Sequence, residues 1–216
     1  VSRVVGILGA AHSGSTALGL VLGGLPSVEF LGEDFRLATQ HISDEVPQFP
    51  CATCGTDCPV FSRGVVLSAK VRAAEATGRW WPFLAGVVGN PDVIVSSDKR
   101  PLFFDNFGLP DHALVVYRER DKWADSWTHK HRGTRNVDDA AWHWDRLYGR
   151  VRTWCVKRGV PFTDVNWSEM RRDPKRNLAA LAAKLGLQWT DAALDWTGRH
   201  HVQGYDAVGE RMQACE

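Results

Sequence analysis

Val4-Val5-Gly6-Ile7-Leu8-Gly9-Ala10-Ala11-His12-Ser13-Gly14-Ser15-Thr16 is the stretch whose reading decides the fold. Val4 to Leu8 is a short apolar run of the kind carried by a buried strand, Thr16 to Leu22 is apolar and helix-compatible, and Pro26 ends that helix. Between them, Gly9 to Thr16 supplies small residues that let backbone N–H groups face inward. The helix N-terminus that follows adds partial positive charge, so the physics favours a bound anion. A nucleoside triphosphatase would carry Lys where Ser15 stands, because that amine reaches the β- and γ-phosphates. Ser15 therefore argues against ATP or GTP hydrolysis.

Outward from this loop, Val28-Glu29-Phe30-Leu31 reads as a short extended piece, and residues 47–61 as a loop or insertion rich in Pro and Cys. Residues 65–89 have helical spacing. Val93-Ile94-Val95 is a second buried-type run leading into Ser96-Ser97-Asp98-Lys99, and Ala113-Leu114-Val115-Val116-Tyr117 a third, leading into Arg118. Residues 121–157 are helical in pattern with a break at Gly133-Thr134. Pro161 to Val165 reads as a last strand, followed by an amphipathic helix from Asn177 to Leu185 capped by Gly186. The tail from Thr197 has no clear periodicity, and no internal repeat is visible. Polar residues placed just after apolar strands suit an open parallel sheet, in which ligands bind outside the carboxyl ends of the strands. The expected fold class is therefore α/β, a P-loop-like open and mainly parallel sheet flanked by helices, in a single domain over residues 1–216.

The chain has 216 residues, with 26 basic and 25 acidic side chains that nearly cancel. Whole-molecule charge offers no attraction to nucleic acid or an anionic membrane, so anion binding must be local. No stretch has the length of apolar sequence a membrane span needs, and the apolar start lacks the charged region and cleavage site of a signal peptide. The expectation is a soluble, cytoplasmic protein without nucleic-acid partners. Ten tryptophans are conspicuous. Core and helix-face packing accounts for most of them, with a few left to line a pocket. His129, His131, His143, His200 and His201 read as packing or helix-surface residues.

The run His12-Ser13-Gly14-Ser15-Thr16 resembles the loop of bacterial carbohydrate and small-molecule sulfotransferases that use 3′-phosphoadenosine-5′-phosphosulfate (PAPS). That family carries Lys or Arg, then Ser-Gly or Thr-Gly, then paired hydroxyl residues, after its first strand. The resemblance implies the sulfotransferase fold, PAPS as co-substrate and no catalytic metal. It further implies that Ser13, Gly14, Ser15 and Thr16 hold the 5′-phosphosulfate, with His12 near the oxygen that becomes the leaving group. His12 departs from the commoner Lys or Arg, so its charge depends on protonation. The donor differs from ATP by a 3′-phosphate, which a guanidinium at a strand end and a hydroxyl on the next helix would bind. Arg118 and Ser126 meet that demand at the family's interval of eight positions, although the family's Asp-Pro after the Arg is missing. Val95 to Lys99, Asn166-Trp167-Ser168-Glu169-Met170, Asp173-Pro174 and Leu185-Gly186 are family-like too, so the likeness spans nearly the whole chain. Val202-Gln203-Gly204-Tyr205 resembles a degenerate nucleotide-closing loop, which brings in Gly204 and Arg211 as donor-binding candidates.

Sulfuryl transfer needs an acceptor placed in line, a base for its proton and positive charge where the leaving oxygen develops charge. Glu33 stands where carbohydrate-modifying relatives carry a glutamate base, with Asp34 and His41 as alternatives, and Lys99 stands where the family has an electrostatic lysine. The implied acceptor is a hydroxyl of a glycan, lipid or small-molecule natural product. Cys51, Cys54 and Cys58 put three thiols within eight residues. They admit a structural zinc completed by His41 or Cys215, a disulfide, or reduced packing thiols. The rival readings are a P-loop small-molecule or nucleotide kinase and a non-catalytic, zinc-stabilised nucleotide-binding module.

Overall fold

The computed structural model describes residues 1–34, 79–130 and 137–195. The Pro/Cys-rich segment 47–61, His41, the break at Gly133-Thr134, and the tail with Gly204, Arg211 and Cys215 lie outside the described residues, as does any metal site at Cys51, Cys54 and Cys58.

Five strands form the sheet: β1 (Arg3–Gly9), β2 (Val28–Gly32), β3 (Val93–Lys99), β4 (His112–Tyr117) and β5 (Phe162–Asn166). Their order is β2-β3-β1-β4-β5, and every described pair is parallel. The expected "mainly parallel" sheet is thus wholly parallel here. Helix α1 (Ser15–Gly23) follows β1, α2 (Trp80–Val87) precedes β3, and α3 (Pro101–Phe107) follows it. Helices α4 (Arg120–Lys130) and α5 (Val137–Arg158) join β4 to β5, and α6 (Trp167–Met170), α7 (Pro174–Lys184) and a 3₁₀ turn (Asp191–Leu194) complete the chain as described. Among the described residues no helix is long and apolar enough to cross a membrane.

Strand alternation divides the core in two. Val4 and Leu8 point to the face covered by Trp80, Leu84, Phe104, Tyr148 and Val151, whereas Val5 and Ile7 point to the face covered by Leu18, Leu22, Leu178 and Leu181. Both faces are covered, which is why β1 and β4 read as unbroken apolar runs rather than alternating ones. Helix α7 begins earlier than its amphipathic pattern indicates: Asp173 caps it, its carboxylate accepting from Arg176 N–H at 3.2 Å, and Pro174 fills the first turn.

The strand β3 departs most from expectation. Ser96, Ser97 and Asp98 lie within the strand, at 0%, 1% and 2% exposure, rather than in a polar cluster after it. They can be buried because partners are waiting: Asp34, itself 0% exposed, accepts from Ser96 Oγ at 2.5 Å and from Trp80 Nε1 at 2.9 Å. Ser96 Oγ also lies 3.0 Å from Asp98 Oδ2. Burial pushes the Asp34 pKa upward against the opposing hydrogen bonds from Ser96, Asp98 and Trp80.

Two predictions follow from the packing. A Cβ on Gly19 would lie 2.2 Å from Phe30 Cε2, where α1 meets β2. Gly19→Ala gains about 1 kcal/mol of helix propensity but overpacks a tight contact at about 1–3 kcal/mol, so urea unfolding should show net destabilisation. Separately, burial raises the pKa of Glu29 from its ordinary 4.5 to about 7, and its Oε1 is buried without a hydrogen-bond partner among the described residues. The folded state therefore binds the Glu29 proton more tightly, so stability is greatest below pH 4.5 for this group and is lost as pH rises to about 7. Glu29→Gln should flatten that slope and add about 1–2 kcal/mol at pH 8, allowing for solvent at its exposed edge, as read by denaturation across pH.

Candidate active site

The carboxyl end of β1 is where the sheet order reverses direction, and the loop from Gly9 to Gly14 occupies it. Its backbone is unusual at each end. Gly9 has φ +147, and a Cβ there would sit 2.3 Å from Val116 O, so only glycine lets β1 pass β4 this closely. Gly14 is the N-cap of α1 in left-handed conformation at φ +96, and no side chain caps the helix. The N–H groups of the first turn have no partner within the helix, which is the arrangement that takes up an anion. His12, at φ +66, is one of four described non-glycine residues with positive φ.

Three contacts hold this loop. Ser13 Oγ donates to Ala10 O at 2.7 Å with Ser13 fully buried, so its hydroxyl braces the loop from within, leaving its backbone to face a ligand. Trp123 Nε1 donates to Ala11 O at 2.9 Å. Tyr148 Oη accepts from Ala10 N–H at 3.2 Å and donates to Val116 O at 2.8 Å, and burial pushes its phenol up to about 12. On the outer side the Trp167 ring packs against Gly14, where a Cβ would come within 2.2 Å of Trp167 Cγ. Ser15 is buried and Thr16 half-buried, both in the first turn of α1.

Across a cavity of about 520 Å³ from this loop stands the second half of the site. Glu33, at the end of β2, and Lys99, at the end of β3, form an ion pair. Lys99 sits at φ +62, and Arg100 N–H donates to Asp98 O across it at 2.7 Å. This is a three-residue turn with a strained centre, of the sort found where a side chain must be aimed. Gly9, Ala10, Ala11, Glu33, Asp98 and Lys99 share the cavity lining with Arg100, Trp123, Trp127, His143 and Leu147. Asp34 is not on that lining, being buried among Trp80 and Ser96, which takes it out of contention as a base.

Arg118 follows β4 directly, and its carbonyl accepts from Trp144 Nε1 at 3.1 Å. Its Nε is buried with no hydrogen-bond partner among the described residues, an orphaned donor of the kind an anion would satisfy. Ser126 lies half-buried on α4, one turn beyond the Trp123 that grips Ala11. Next to Arg118, Glu119 accepts from Ser168 Oγ, which lowers the Glu119 pKa and ties the start of α4 to α6.

The fold that carries these features is found in solved structures. The sulfotransferase domain from the curacin biosynthetic pathway matches with a TM-score of 0.61 at 14% identity, covering 95% of this chain and 81% of its own. The sulfotransferase domain of the Synechococcus PCC 7002 olefin synthase gives 0.59 at 16%, over 91% and 77%. This chain has the sulfotransferase fold. A sulfotransferase from Alicyclobacillus acidocaldarius has the same fold at a TM-score of 0.51 and 17% identity, over 87% and 83%. No family model and no curated protein sequence matches the chain.

Within the sulfotransferase fold, sequence reading did not single out Tyr148, Trp127, His143 and Leu147. The pairs Trp123/Trp127 and His143/Leu147 are each spaced i, i+4, which marks a shared helix face, but which face meets the cavity depends on how α4 and α5 pack. Tyr148→Phe removes one oxygen and leaves both Ala10 N–H and Val116 O short of a partner. Urea unfolding should show a loss of about 1–3 kcal/mol with an unchanged m value.

Proposed function

We propose that this chain transfers the sulfuryl group of PAPS to a hydroxyl on a small-molecule, lipid or glycan acceptor. The observation that carries the reading is that Gly9 to Ala11, the part of the loop that leads into the α1 start, share one cavity with the Glu33–Lys99 ion pair within a sulfotransferase fold. The loop N–H groups and the hydroxyls of Ser15 and Thr16 bind the 5′-phosphosulfate, with Ser13 and Gly14 setting the loop's shape. Arg118 and Ser126 bind the 3′-phosphate, which satisfies the orphaned guanidinium nitrogen. Gly204 and Arg211 remain donor-binding candidates from sequence alone.

In the transfer, the bond between sulfur and the bridging phosphate oxygen breaks, and its electron pair stays on that oxygen. A new bond forms from sulfur to the acceptor oxygen, whose proton passes to Glu33. Lys99 and His12 bring positive charge to the oxygens that gain it, His12 only when protonated. The products are the sulfate ester and adenosine 3′,5′-bisphosphate.

Calorimetric titration separates the donor site from the chemistry. Wild-type protein should bind adenosine 3′,5′-bisphosphate well ahead of the 5′-monophosphate and ATP. Arg118→Ala should erase that preference, weakening the bisphosphate by about 10–100-fold while the monophosphate is nearly unaffected. Glu33→Gln should keep the bisphosphate affinity and lower turnover by about 100-fold or more. Equal affinity for all three nucleotides, or stronger binding of ATP, would overturn the reading in favour of a kinase-like site. Loss of turnover in Asp98→Asn with normal turnover in Glu33→Gln would move the base to Asp98.

A further inference from the structure

The cavity beside Glu33 is chemically divided. Its charged groups, Glu33, Asp98, Lys99 and Arg100, come from the ends of β2 and β3, whereas α4 and α5 supply Trp123, Trp127, His143 and Leu147. Two of the charged groups are already paired with each other in the Glu33–Lys99 bridge, and Asp98 is engaged by Ser96. Among the described residues, few polar anchors are therefore left for an acceptor bearing many hydroxyls.

The aromatic side is held in place. Trp123 is 3% exposed and fixed through its N–H to Ala11 O. Trp127 stacks on it with ring centroids 5.1 Å apart and planes 25° from parallel. The His12 ring lies 6.5 Å from Trp127, so the same indole borders both the anion loop and the cavity. A half-buried indole locked by a buried neighbour offers a flat apolar surface without the entropy cost of ordering a side chain on binding. Rings complement such a surface better than flexible chains do, because a ring lays down its contact area with little freedom to lose.

We propose that Trp127, backed by Trp123 and flanked by Leu147, is an acceptor platform that selects a hydroxyl carried on a flat, largely apolar ring system. This rests on the sulfuryl-transfer reading and narrows it: polyhydroxylated sugars and open-chain alcohols become poor acceptors. Trp127 is a specificity-determining residue that acts through acceptor binding.

The test uses three acceptors that each carry a primary hydroxyl and no phenol: 2-naphthylmethanol, 1-octanol and methyl glucoside. With PAPS as donor, kcat/KM for the naphthyl alcohol should exceed the other two by at least about tenfold. In Trp127→Ala that advantage should collapse through a KM rise of about tenfold, with kcat changed by less than about twofold. Trp127→Phe should recover most of it, and adenosine 3′,5′-bisphosphate affinity should stay constant across the series. Equal efficiency for the three alcohols, a preference for the glucoside, or equal losses for all three in Trp127→Ala would overturn the platform while leaving sulfuryl transfer standing. Should no alcohol be sulfated, calorimetry of 2-naphthylmethanol against the bisphosphate-loaded protein decides separately. Binding weakened about tenfold by Trp127→Ala supports the platform, and absent or unchanged binding overturns it. Failure of sulfuryl transfer itself shows differently, as loss of the preference for the 3′-phosphate.

Discussion

One buried hydroxyl ties the sheet to the anion loop. Tyr148 Oη receives the Ala10 N–H and gives its own proton to Val116 O, bridging the ends of β1 and β4 at the point where the two strands begin to part. Without such a bridge, the widening between parallel strands would leave two backbone groups buried and unpaired. With it, both groups are satisfied and the start of the loop is fixed to the sheet. The residue responsible comes from the middle of α5, so the long helix that covers one face of the sheet also sets the geometry at its edge.

The same economy governs the other wall. Asp34, Ser96 and Asp98 are polar groups in a core position, and each is met by another or by Trp80. The cluster pins the end of β2 to the end of β3. Glu33 and Lys99, the chain neighbours of Asp34 and Asp98, consequently meet in an ion pair at the cavity wall. A hydrogen-bonded foundation beneath a pair of charged side chains restricts where those side chains can go, which a loop lacking such partners would not do.

The sequence made the scaffold legible where burial writes a simple pattern. Val4 to Leu8 and Ala113 to Tyr117 are continuous apolar runs because both sides of their strands are covered, and Gly14 announces the helix start that follows. It was less informative where polar residues sit inside. Nothing local to Ser96-Ser97-Asp98 shows that the strand continues through them, because the groups that accept their burial, Asp34 and Trp80, are far away in the chain. Of the residues singled out for chemistry, Glu33 and Lys99 are brought together and His12 stands at the loop, whereas the cavity-lining faces of α4 and α5 were not singled out residue by residue. A tryptophan at helical spacing looks the same whether it fills a core or lines a cleft, and only the packing of its helix tells them apart.

The strand order carries a further consequence, for the chain's own synthesis. β1 pairs with β3 and β4 but not with β2, so its first partner residues are Val93 and His112. Contacts separated by roughly a hundred positions form slowly, because a long loop must close before they repay it. β1 and the loop it carries therefore wait without their strand partners while roughly the next hundred residues emerge. During that interval, protection from aggregation has to come from α1 folding back over Val5 and Ile7, a contact available as soon as the first turn of sequence is complete.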